Sequence, residues 1–192
     1  WVHLVDLEGA RDGTAPAYEL ICRIKAETGL RCEVGGGIRD ISAVRRYLDA
    51  GIDRVILGTA AVTDPDFLRE AARLYGEQIA LGVDLRDGYV AIKGWTETTE
   101  RSALDFCREA ERIGVGTLIC TDISRDGAMR GTNRELYRML SEQTEMNIIA
   151  SGGVSGMDDI HALRALGLYG AIVGRAYYTG DISLKEAIGA AR

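Results

Sequence analysis

Asp84 closes an apolar run, residues 79–84, and a carboxyl at the end of a buried strand is placed to donate or accept a proton. Capping a loop or a helix is the competing duty for it. Asp6 and Asp122 end two further runs of the same kind, Thr121 stands beside the second, and Ser151 ends a fourth. Each of these two aspartates is either a substrate contact or a brace for its own loop. The glycines suggest a different chemistry. Gly36 and Gly37, and again Gly152 and Gly153, sit where a strand gives way to a helix; Gly58 and Gly174 hold the matching place one strand later, followed by Thr59 and Arg175. Glycine lets a backbone approach a phosphate closely, and free amides at a helix start supply donors and positive potential. Arg39 and Arg175 add charged donors, or else are solvated arginines at helix starts. Trp95 follows Gly94 in a polar run, where an aromatic either stacks on a planar substrate ring or is buried as core. Asp126-Gly127 lies in a polar loop, residues 124–133, long enough to close over a ligand. His3 and His161 lack partners by spacing and are read as structural.

These positions fall into one frame. At an offset of 116 residues, Gly36, Gly37, Gly51, Ile56, Gly58 and Ala60 meet Gly152, Gly153, Gly167, Ile172, Gly174 and Ala176, and residues 5–7 meet residues 121–123. The chain therefore reads as a repeat, residues 1–76 with residues 116–192. Two symmetric glycine pairs predict two phosphate sites on opposite sides of one mouth, and hence a small substrate carrying two phosphates.

Strand and helix alternate along the chain. The pattern predicts strands at 1–6, 32–35, 55–58, 79–84, 117–123, 147–151 and 171–174, with a further extended run at 89–95 across an Asp87-Gly88 turn. Helices are expected at 16–29, after the Asp40 cap, after Asp64-Pro65, at 103–113, 135–140 and 160–166, and from 183 onward. Seven strand-helix units of about 27 residues, with no linker, indicate a parallel α/β fold in a single domain spanning residues 1–192. A TIM barrel and a doubly wound sheet are the two candidates. The two-fold repeat and the polar or glycine residues at the C-terminal ends of short strands favour the barrel, whose active-site loops lie at that face. In a barrel of two four-unit halves, residues 79–84 lack a counterpart 116 residues earlier. The expectation is a barrel reduced to seven units, without its first strand and helix, where a whole barrel is typically about 250 residues.

Composition limits the function classes. With 46% apolar and 27% charged residues the chain is globular, and a net charge of -6 disfavours a general nucleic-acid or membrane surface. Cys22, Cys32, Cys107 and Cys120 are dispersed, which suits reduced, mostly buried thiols in a cytoplasmic protein rather than a zinc or disulfide framework. No apolar run approaches the roughly 20 residues that span a bilayer.

Residues 4–7, Gly35-Gly36-Gly37-Ile38-Arg39, Lys93-Gly94-Trp95, Thr121-Asp122-Ile123 with Arg125-Asp126-Gly127, Ser151-Gly152-Gly153 and Val173-Gly174-Arg175-Ala176 together resemble the phosphoribosylformimino-aminoimidazole-carboxamide ribotide isomerases of histidine biosynthesis. The resemblance runs the length of the chain. It implies a barrel enzyme without metal or organic cofactor that performs an Amadori rearrangement, aminoaldose to aminoketose, on a bisphosphorylated substrate. Carried over by position, Asp84 matches the general acid that opens the ribose ring, Thr121 matches the threonine that supports the reacting sugar, and the glycine turns match the two phosphate grips. The family's general base is an aspartate on the first strand; Asp6, on the second, is not its equivalent. The resemblance therefore implies little isomerase activity for this chain alone. A non-catalytic fragment and the dual-substrate isomerase of histidine and tryptophan biosynthesis are the alternatives. Open strand edges at residues 1–6 and 171–174 further lead to an expected homo-oligomer.

Overall fold

The computed structural model describes residues 1–191. Its sheet contains nine strands, of which seven form the main path: β1 (Val2–Val5), β2 (Cys32–Gly35), β3 (Arg54–Leu57), β4 (Ile79–Arg86), β7 (Thr117–Asp122), β8 (Asn147–Ser151) and β9 (Gly170–Ala171), neighbours in that order. Every pairing along this path is parallel. The remaining two, β5 (Tyr89–Ile92) and β6 (Glu97–Ser102), form an antiparallel hairpin on the end of β4. Parallel strands linked by helices, curled as one sheet, make a TIM-barrel-like α/β fold. Among the described residues no helix is long and apolar enough to cross a membrane.

Local chemistry explains where the helices begin and end. Asp40 accepts the Ala43 amide at 2.8 Å to start α3 (Ile41–Asp49), and Asp64 accepts the Phe67 amide at 3.0 Å ahead of Pro65 to start α5 (Pro65–Tyr75). The helix α6 (Ala103–Ile113) runs from a Ser102 cap to Gly114, whose φ of 104° is the left-handed terminator that a side chain would resist. Strands β2 and β8 also have the expected bounds.

Period-two alternation divides the strands between two packing faces. On β4, Leu81, Val83 and Leu85 join Phe106, Cys107 and Ala110 of α6 in the main core. Ala80 faces the other way and packs with Ile56, Ile119 and Ile149 in a separate layer, with Ile172 against it. Toward the N-terminal ends of the strands, the buried Glu33 accepts Arg54 Nη1 at 3.1 Å and lies 2.8 Å from His3 Nδ1. The Arg54 guanidinium is 4.4 Å from the Trp1 ring centroid. His3 is thus partnered, across 30 residues that no spacing rule joins. The opposite end of the strands is left for the site.

Several local expectations needed correction. Residues 7–12 form a helix, α1 (Leu7–Asp12), started by Asp6. The extended run at 89–95 is cut at Ile92, and a second strand, β6, follows the turn. Two short helices, α4 (Thr59–Thr63) and α9 (Arg175–Tyr178), come directly after Gly58 and Gly174. The strand at 171–174 shrinks to Gly170–Ala171.

Candidate active site

The parallel register places three of the singled-out side chains in one row. Asp84 of β4 is opposite Thr121 of β7, and Thr121 is opposite Ser151 of β8. All three share the parity of Ala80, Ile119 and Ile149, one or two steps further along strands whose partners form the inner layer. They therefore stand above that layer at the C-terminal ends of the strands. Tyr137, fully buried on α7 (Arg134–Gln143), fastens this row from behind. Its hydroxyl lies 2.7 Å from the Ser151 carbonyl and 3.1 Å from that of Cys120, and it accepts the Ser151 amide at 3.1 Å. Burial pushes the Tyr137 phenol well up, so it remains a neutral donor. Tyr137 escaped the sequence reading because it looks like any apolar residue on a helical face.

The hairpin places Trp95 on the carboxyl. Trp95 Nε1 donates to Asp84 Oδ2 at 2.8 Å. The turn that delivers it is unusual, since Lys93, Gly94 and Trp95 have φ of 54°, 61° and 70° in succession, and a non-glycine residue in that region is held there against its preference. Arg86 Nη2 donates to the Trp95 carbonyl at 3.2 Å, and the Lys93 amide donates to Thr59 Oγ1 at 3.2 Å. Burial pushes the half-buried Asp84 carboxyl above its ordinary value of 3.8; Trp95 and Thr121 pull it back, Asp126 raises it, and His3 lowers it. A carboxyl so placed holds a proton to higher pH than a solvated aspartate, as an acid requires.

Asp6 and Asp122 each bond to the loop that follows. Asp6 is buried, with Oδ1 accepting the Gly9 amide at 2.9 Å and Oδ2 the Ala17 amide at 3.0 Å. Asp122 Oδ1 accepts the Ser124 amide at 2.9 Å and its hydroxyl at 2.6 Å, while Oδ2 accepts Asn133 Nδ2 at 2.6 Å. Of the two roles open to Asp6, its geometry supports the brace, because both carboxylate oxygens are already engaged.

The glycines separate into two kinds. At Gly37 an added Cβ would overlap the Gly9 carbonyl; at Gly152 and Gly153 it would lie 2.8 Å from the Asp122 carbonyl oxygen and 2.6 Å from that of Gly131. Gly36 presses on the backbone of Asp6 in the same way. These four are demanded by the loop packed against them. Gly58 and Gly174 are open: the nearest atom to an added Cβ is the Gly82 carbonyl at 3.9 Å for the first, and nothing lies within 4 Å for the second. The exposed residues that follow, Thr59 and Arg175, each reach a neighbouring loop; Arg175 Nη1 donates to the Gly127 carbonyl at 2.5 Å. Arg39 Nη2 donates to the Ala10 carbonyl at 3.4 Å. Asp126 packs its Cα and Cβ 3.4 Å from where a Gly152 side chain would start.

A curled parallel sheet with a buried-type carboxyl, two hydroxyls and open glycine turns at the C-terminal ends of its strands is the arrangement of a TIM-barrel-like enzyme. The chain belongs to the histidine biosynthesis protein family, whose model matches residues 1–183. It is 48% identical over 188 residues to a Listeria monocytogenes protein, covering 98% of this chain and 78% of that one. It is 50% identical over 187 residues to one from Lactococcus lactis, covering 96% and 78%. Both relatives are named 1-(5-phosphoribosyl)-5-((5-phosphoribosylamino)methylideneamino)imidazole-4-carboxamide isomerase. By family, this chain is an isomerase.

Proposed function

We propose that the chain rearranges an N-linked aminoaldose to the corresponding aminoketose on a substrate with a phosphate at each end. The observation that carries the reading is the Asp84–Thr121 row, with a carboxyl whose affinity for its proton is raised by burial. Asp84 gives its proton to the ribose ring oxygen as the C1–O bond breaks, and the nitrogen lone pair forms the C=N bond of a Schiff base. The carboxylate that this transfer leaves on Asp84 takes the C2 proton as the double bond moves to C1–C2, and the enol-amine then gains a proton at C1 and gives up that of the C2 hydroxyl to yield the ketone. Thr121, one strand away, holds the sugar hydroxyls at that level. The names of the relatives carry two phosphoribosyl groups, and two open glycine turns, Gly58-Thr59 and Gly174-Arg175, suit the two phosphates. Gly36-Gly37 and Gly152-Gly153 shape the walls between them, with Trp95, Asp126 and Gly127 on the loops above. The halves, residues 1–76 and 116–192, are read as copies; in support, Gly37 and Gly153 each press on a carbonyl of the loop before, and Gly58 and Gly174 each open a short helix.

Asp84→Asn tests this directly. A positioned proton donor contributes about 10²–10⁴-fold in rate, so turnover of the bisphosphate should fall by that factor with KM little altered. Turnover within threefold of the unsubstituted chain would remove Asp84 from the reaction.

A further inference from the structure

The turn that carries Trp95 has few attachments, and one of them is a side chain from another unit. Among the described contacts, the Lys93 amide, at the first of three consecutive positive-φ residues, donates to Thr59 Oγ1 at 3.2 Å, across 34 residues of sequence. The Thr96 hydroxyl closes the turn on the Lys93 carbonyl at 2.8 Å, and Lys93 Nζ pairs with Glu97 at 2.8 Å, but both of these lie within the hairpin. Besides the Trp95 indole itself, Thr59 and Arg86 are the described hydrogen-bond partners that tie the turn to elements outside the hairpin. The far end of the turn is the Trp95 indole on Asp84.

We propose that Thr59 is a positioning residue for the acid: by accepting the Lys93 amide, its hydroxyl holds the left-handed turn in the one place from which Trp95 reaches Asp84. A hydroxyl has two acceptor lone pairs and one proton, so this bond leaves the Thr59 proton for another acceptor. The same oxygen is therefore able to meet a phosphate on the Gly58 turn while it holds the hairpin. Phosphate occupancy and the cover over the acid then share one atom. A hydroxyl that donates strongly also accepts more strongly, so a phosphate on Thr59 tightens its hold on Lys93. Burial is the main influence raising the Asp84 proton affinity, and the groups that modulate it are Trp95 from the turn, Thr121 from β7, Asp126 from the following loop and His3 from β1. Thr59 is not among them, which makes its effect on Asp84 an indirect one.

The inference uses the preceding reading only for what it means for catalysis, and its test needs no turnover. With two tryptophans in the chain, a Trp1→Phe background leaves Trp95 as the sole tryptophan, read by exciting beyond the tyrosine absorption band. Thr59→Val removes the acceptor at nearly constant volume, Thr59→Ala removes it without the branched methyl, and Thr59→Ser restores it. Trp95 emission should shift to the red in the first two and return in the third. The Asp84 titration midpoint, followed by carbon NMR, should move in the first two and return with Ser. In Trp95→Phe, which keeps the ring but loses the donor, the midpoint should rise, and adding Thr59→Val should change it no further. Unaltered emission and an unaltered midpoint in both Thr59→Val and Thr59→Ala would overturn the proposal, as would a Ser variant that fails to recover. Asp84→Asn turnover reports separately on the reaction, so either reading can fail without the other.

Discussion

Gly153 and Gly174 follow paired strands at the same mouth, and each uses its missing side chain for an opposite purpose. Gly153 is crowded: φ is 83°, and the Gly131 carbonyl and the Arg125 side chain occupy the place where a Cβ would go. Gly174 is empty on that side. The first glycine lets protein approach protein, and the second leaves a backbone turn uncovered for something else. Gly37, crowded by the Gly9 backbone, and Gly58, open, show the same contrast. Sequence patterns put all four under one phosphate-binding reading, because a glycine that admits a neighbouring loop and a glycine that admits a ligand are the same letter.

The contrast breaks most visibly at Gly153. Gly153→Ala must displace the Gly131 carbonyl and hold alanine at positive φ, which should cost about 3 kcal/mol in urea unfolding. A loss under about 0.5 kcal/mol, the range of ordinary surface substitutions, would show that the loop yields easily and the crowding is unimportant.

Asp159 anchors the loop that presses on Gly153. Its Oδ1 accepts the Thr132 amide at 3.3 Å and Arg134 Nη2 at 3.2 Å, and Oδ2 accepts the Ser155 amide and hydroxyl, both at 2.9 Å. Burial alone would raise this carboxyl, but the bonds to Ser155, Arg134 and Thr132 outweigh it and hold it below 3.8. Since the folded chain lowers the proton affinity, the stabilisation is present above the ordinary value and is lost as pH falls through the lowered one. Asp159→Asn should cost about 2 kcal/mol near neutrality and flatten the acid limb of stability against pH. An acid limb identical to that of the unsubstituted chain would place the anchor elsewhere.

The smallest structural effect belongs to Gly174→Ala, where a methyl has room. Stability should change by less than about 1 kcal/mol, while affinity for inorganic phosphate, followed by phosphorus NMR, should drop. Unchanged phosphate affinity would leave the open turn without its proposed ligand.

Legibility followed the range of the interaction. Asp40, Asp64-Pro65 and Gly114 were readable as helix boundaries because a cap and its amide lie three or four residues apart. Strand β6, with the sequence Glu-Thr-Thr-Glu-Arg-Ser, was not, because it has no apolar alternation and exists only by pairing with β5. Helix α1 is different: Asp6 reads from the sequence as a substrate contact or a loop brace, and although its capping bond to Gly9 is local, the six residues that follow are too few to carry a helical apolar period. Asp84, Thr121, Trp95 and the glycine turns were all singled out from type and position at strand ends. Their division into braces, walls and open turns was not.

The order of the residues is enough to give the alternation of strand and helix, most of the caps, the 116-residue offset at which glycine motifs recur and the motifs that match the family. Those depend on neighbours along the chain or on composition, which folding does not alter. Folding in three dimensions is what sets Asp84 opposite Thr121 and in reach of the Trp95 indole, engages both carboxylate oxygens of Asp6 with the Gly9 and Ala17 amides, and brings the Lys93 amide to Thr59 Oγ1. Those depend on register, burial and direction between residues up to 37 positions apart, and a carboxyl acquires its proton affinity from what surrounds it in space.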